Sequence, residues 1–248
     1  MAGVVRVAGV NPGAGPRAEG GAPGRAGPIL GLWAGLAIAL HALLWATGFA
    51  PRDLAVAVDR GAARAEAGGV GEVGDDVIRK AIRLQRATLP FWATLARLAD
   101  FAVEPALTAA RAVAVATLFA ATAALTGRPI GFAEGLAGSA RAQGYWVLGL
   151  AVGVGLTIAL RRPDVETSLA LLLPAGRYPA AVVLLARQAE PFALLGWLAL
   201  ARGGRRRGQV NLATALSVCL VLAAAEAAVR TGVGLVAGAG MRLSILPR

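Results

Sequence analysis

Apolar residues in this chain fall into long runs parted by short charged loops. They show neither the two-residue alternation of a half-buried strand nor the one-sided stripe of a surface helix. The longest run, 210–238, reads VNLATALSVCLVLAAAEAAVRTGVGLVAG. At about 1.5 Å per residue it crosses a ~30 Å hydrocarbon core with tilt to spare. Four other runs precede it, at 29–50, 102–126, 142–160 and 178–201. The pattern predicts an all-α, polytopic transmembrane bundle of five spans. Pro28 and Pro51 bound the first span, and Trp33 and Trp45 lie toward its two ends as interfacial anchors. Small residues mark thin faces suited to helix packing, within or between chains: Gly31 with Gly35, Gly149 with Gly153, and Gly234 with Gly238.

Outside the spans the pattern changes. Residues 1–27 hold mostly Gly, Ala, Pro and Arg and cannot repay their ordering entropy, so they read as a disordered tail. Residues 51–100 read as a charged loop, with a glycine-rich break at 68–74. From Asp75 the period turns helical. Val77, Ile78, Ala81, Ile82 and Leu84 interleave with Arg79, Lys80, Arg83 and Arg86, which predicts a basic amphipathic helix over 75–100. Such a helix suits the headgroup plane of anionic lipid, with Phe91 and Trp92 dipping inward after Pro90.

Composition sharpens this picture. Of 248 residues 57% are hydrophobic and only 16% charged, against about 25% charged in soluble domains. Mean hydropathy is +0.64. The net charge of +11 does not imply nucleic acid, because the arginines sit largely in the loops, where topology selection places them. Lys80 is the only lysine, which reads as the codon bias of a GC-rich bacterial genome. The densest short-loop cluster, Arg202 with Arg205, Arg206 and Arg207, places that loop and the N-terminus in the cytoplasm. The chain is therefore expected to be a multi-pass protein of a bacterial inner membrane. Its partners would be the lipid bilayer and either a second copy or another membrane protein.

Candidate chemistry is sparse. One cysteine, Cys219, and one histidine, His41, both lie in apolar runs. There is no thiol metal site, no H-E-x-x-H, no G-x-S-x-G frame and no phosphate-binding loop. Neither cofactor nor metal is expected, and no catalytic residue is assigned. Charges inside spans are the functional candidates. Arg187 and Glu190 stand three apart just before Pro191, where one helix face would let them pair. Glu226 and Arg230 stand four apart in the last span. Arg111 would snorkel or meet Glu104, Glu190 or Glu226 across the bundle.

Several pieces from the second span onward form a recognisable order. They are Leu125-Thr126-Gly127-Arg128-Pro129-Ile130-Gly131-Phe132, then a Leu- and Pro-containing stretch at 168–174, then Glu190-Pro191-Phe192 with Trp197, then a basic-glycine loop at 203–208. This order resembles the YIP family, five-span membrane proteins named for binding Rab-type GTPases in eukaryotes. For a bacterial chain the resemblance implies a non-catalytic integral membrane protein working through packing, membrane association or partner binding, not Rab binding. The reading from another class is a small transporter or permease subunit using Arg187, Glu190, Glu226 and Arg111 along a polar path.

Overall fold

The computed structural model describes residues 26–69, 75–127, 131–163, 165–174 and 177–243. The tail expected over 1–27 lies outside these apart from Ala26 and Gly27. So do 70–74 of the glycine-rich break and 128–130 of the loop motif. The described residues fold into ten α-helices with no strand. They are α1 (Ala26–Ala46), α2 (Phe49–Gly69), α3 (Asp75–Ala87), α4 (Leu89–Leu98), α5 (Glu104–Leu125), α6 (Phe132–Ala142), α7 (Gly144–Leu160), α8 (Ala180–Gln188), α9 (Pro191–Arg206) and α10 (Leu212–Leu243). A π-turn at Ala99–Val103 joins α4 to α5, and a 3₁₀ turn at Leu169–Leu172 precedes α8.

Four helical runs are long and apolar enough to cross a membrane: Ala26–Ala46, Ile82–Leu125, Phe132–Leu160 and Leu212–Gly240. A fifth exists if the bent pair α8–α9 is one span. The burial pattern is the reverse of a water-soluble protein's. Leu220, Val221, Val229 and Val236 on α10 are each more than 60% exposed, while Gln143, Gln209 and Ser139 are fully buried. Exposed apolar surface of that extent is stable against lipid tails, not water.

Helix α5 is the central element. Thr108, Arg111, Ala112, Val115, Ala116, Phe119 and Ala123 recur at three- and four-residue steps and form its buried face. Val115 and Phe119 join Leu200, Ala201, Ala215 and Cys219 in the core. Two glycines make room for its rings. A Cβ on Gly204 would lie 2.5 Å from the Phe119 ring, and one on Gly196 would collide with Trp146. Trp146 in turn meets Trp197 edge to face at 5.5 Å.

Several expectations are corrected. The charged loop at 51–100 is largely helical: α2 fills its first part, because a run of Ala with few breakers propagates a helix whatever its charge. The first helix stops at Ala46, where Gly48 takes φ +77°, and Pro51 sits in the first turn of α2 rather than closing α1. The helix expected over 75–100 is interrupted at Thr88, just before Pro90. Helices α2 and α3 pack as a hairpin: buried Gln85 donates its Nε2 to the Val58 carbonyl at 3.1 Å, and Arg86 meets Asp59 at 2.9 Å. Trp92 reaches α10, 3.2 Å from where a Gly240 Cβ would stand, whereas Phe91 is exposed. The third span, expected over 142–160, is lengthened at its start by α6, so that the helical run begins at Phe132.

Candidate functional site

Two arginines and two glutamates from α5 and α10 close into one network. Arg111 donates its Nε to Glu226 Oε2 at 2.8 Å, its Nη2 to Glu226 Oε1, and its Nη1 to Gln143 Oε1 at 2.8 Å. Its guanidinium also lies 4.2 Å from the centre of the Trp146 ring. Arg230 donates its Nε to Glu226 at 3.0 Å and grips Glu104 with both terminal nitrogens at 2.9 and 3.1 Å. Both expected partnerships, Glu226 with Arg230 and Arg111 with a distant acid, are present. Two charges cancel two, and every guanidinium fork is matched by a carboxylate, which is what low dielectric demands.

Arg187 and Glu190 behave differently. They do not pair. Pro191 disfavours helical geometry in the residue before it. Ala189 accordingly leaves the helix and Glu190 is extended, at φ −85° and ψ 135°. Helices α8 and α9 meet at 52°. Arg187 turns to Glu166 at 2.9 Å, and Glu190 accepts from the Thr167 hydroxyl at 3.4 Å. The segment before α8 braces the break. Leu169 N–H donates to the Ala189 carbonyl at 3.2 Å, and Ser168 holds the other Glu166 oxygen at 2.6 Å. Glu166, Thr167 and Gln143 could not be singled out from sequence, since nothing in a short polar turn announces which distant helix it will face.

A cavity of about 670 Å³ lies between these two regions. His41, Asp100, Glu104, Glu190, Glu226 and Arg230 are among its polar groups, and Trp146 and Trp197 line it as well. Asp100 accepts from the Trp45 indole at 2.8 Å and lies 3.6 Å from His41 Nδ1. Four carboxylates (Asp100, Glu104, Glu190, Glu226) and two guanidiniums (Arg187, Arg230) line the cavity. Among the described residues, Glu190 and Asp100 are the lining acids with no arginine ion pair.

The packing glycines divide. Gly149 lies under Glu190, whose Oε1 would stand 2.9 Å from an added Cβ, and Gly234 packs on Leu184 at 3.2 Å. Gly31, Gly35, Gly153 and Gly238 have nothing within 4 Å of a Cβ, so they serve no helix contact within the described chain. Aromatic rings from other helices approach closely at Gly196 and Gly204, which no small-residue repeat had flagged.

Comparison with known proteins adds no relative: no family model, curated protein or solved structure matches this chain.

Proposed function

We propose that this chain is a non-catalytic integral membrane protein of the YIP type, seated in a bacterial inner membrane and working by holding a fixed surface for a partner. The closed network of Arg111, Glu226, Arg230 and Glu104 carries the reading. It uses the charges of α5 and α10 to pin one helix to the other, a structural use of buried charge. The YIP-like pieces fall at structural joints, which supports the resemblance: Glu190-Pro191-Phe192 spans the helix break, and 203–208 leads into a reversal where Gly208 takes φ +70°. The partner is a second copy or another membrane protein, docked on the face of α1 where Gly31 and Gly35 are exposed. A photoreactive residue at position 35 should form protein adducts in native membranes, and one at exposed Leu220 on α10 should form lipid adducts alone. Adducts to lipid alone at position 35 would sink the reading.

A second reading, a small transporter or permease subunit, draws on one observation. A broken span beside a cavity with surplus carboxylates is the usual construction of a midplane solute site. It requires Glu190→Gln to change solute or proton flux in proteoliposomes at undiminished yield.

A further inference from the structure

A second polar cluster lies away from the cavity, where α6 meets the turn between α9 and α10. Gly135, Gly138 and Ser139 share one face of α6. Gln209 covers the first of these: its Nε2 would stand 2.9 Å from a Cβ on Gly135. Arg207 covers the second, so closely that a Cβ on Gly138 would collide with its guanidinium. Ser139 is the next residue along that face and is fully buried. The three side chains thus converge on one corner.

All three have donors left over. Arg207 Nη2, Gln209 Nε2 and Ser139 Oγ are buried and have no hydrogen-bond partner among the described residues. The only bond inside the cluster runs from Arg207 Nε to Gln209 Oε1 at 3.2 Å. A buried, unmatched donor loses its bonds to water and gains none in return, and the loss is greater when it belongs to a charged group. Three along one helix face, one of them on a guanidinium, leave this corner short of an acceptor. Water would satisfy the N–H groups but would not neutralise the charge. The charged neighbours do not supply that acceptor either. Glu134 and Arg141 are exposed at the rim and act on Arg207 in opposite senses. Burial, the larger influence, holds the Arg207 guanidinium below its ordinary pKa, as expected of a cation lacking a close counter-ion.

We propose that this corner binds a phosphate group, with Arg207, Gln209 and Ser139 donating to its oxygens. Phosphate offers only acceptors, carries the charge that is missing, and matches the planar guanidinium fork. The corner sits beside exposed Arg141, Arg202, Arg205 and Arg206, which raise the local anion concentration. The phosphate belongs to a phospholipid headgroup or to a soluble phosphate ester, and the test separates these sources.

The full chain in neutral detergent is measured for thermal unfolding and, by native mass spectrometry, for retained ligand. The probes are phosphatidylglycerol, diacylglycerol and inorganic phosphate, with chloride at matched ionic strength. Phosphatidylglycerol or inorganic phosphate should bind and raise the melting temperature, and diacylglycerol and chloride should not. Protection by both phosphate probes assigns a soluble ester; protection by the phospholipid alone assigns a headgroup. Arg207→Gln should weaken binding roughly tenfold or more, the loss expected of one charge-assisted contact. Gln209→Leu and Ser139→Ala, which keep the packing, should weaken it severalfold, and exposed Arg205→Gln should leave it near the native value. The proposal is overturned if neither phosphate probe binds, if Gln209→Leu and Ser139→Ala bind like the native chain, or if Arg205→Gln loses as much as Arg207→Gln. Weakening by Gln209→Leu and Ser139→Ala decides in its favour even if Arg207→Gln fails to fold.

Discussion

Two acid–arginine couples in this chain look alike on paper and end up opposite. Glu226 and Arg230 stand four apart; Arg187 and Glu190 stand three apart. Either spacing puts both members on one helix face. The first couple lies within uninterrupted α10 and forms its bond at 3.0 Å. The second straddles the end of α8, and each member finds a partner in the 165–168 segment instead. Spacing predicts a pair only where the backbone between the two residues stays helical. Pro191, one residue beyond the couple, removes that condition.

The two regions therefore differ in what a mutation exposes. Glu226→Gln is expected to have the largest effect. It strips Arg111, whose side chain is only 5% exposed, of its counter-ion and takes one of the two carboxylates from Arg230. Breaking a buried pair from one side costs about 3–5 kcal/mol. A steep fall in unfolding midpoint in detergent should follow, and a fall like that of a surface mutant would dissolve the contrast. Gly196→Ala comes next. It forces the Trp146 ring off its seat beneath Arg111, an overpacking cost of about 1–3 kcal/mol. A quiet Gly196→Ala would mean that the ring has room to retreat.

Glu190→Gln should be milder. Pairing with Arg187 would have made this a costly change, but Arg187 keeps Glu166 when Glu190 is neutral. The loss should stay below about 1 kcal/mol, the scale of one ordinary hydrogen bond. Destabilisation matching Glu226→Gln would show Glu190 to be tied into the network after all. Arg86→Gln, which breaks the exposed bond to Asp59 in the α2–α3 hairpin, should fall within about 0.5 kcal/mol of the native chain.

Much of the architecture was legible beforehand. Run length and composition announce spans because lipid leaves an unpaired backbone no alternative to the helix. The i,i+4 bond of α10 follows from a local rule of the same kind, whereas the break before Pro191 undid the pairing expected of Arg187 and Glu190. Boundaries set by competition were not legible. The 49–69 stretch has charges spread along its length, and only its packing on α3 and α4 shows what the helix rests against. Small-residue repeats were a partial guide to packing within the chain: Gly149 and Gly234 do meet other helices. Gly31, Gly35, Gly153 and Gly238 touch no neighbouring helix in the described chain, while Gly196 and Gly204 take the rings of Trp146 and Phe119. A glycine matters where a large side chain arrives from another helix, and its own sequence neighbours do not say which one will.

From the order of residues alone come the helical class, the approximate number of helices long and apolar enough to cross a membrane, and the list of charges within them. Hydrophobic length and proline geometry are local properties, so a linear reading reaches them. Tertiary structure alone decided that Arg230 grips Glu104 across 126 positions, that Glu166 and not Glu190 answers Arg187, and that Arg207, Gln209 and Ser139 meet at one corner with donors to spare. Those choices depend on which helices touch and at what height, and a charge in low dielectric selects its partner by distance through space.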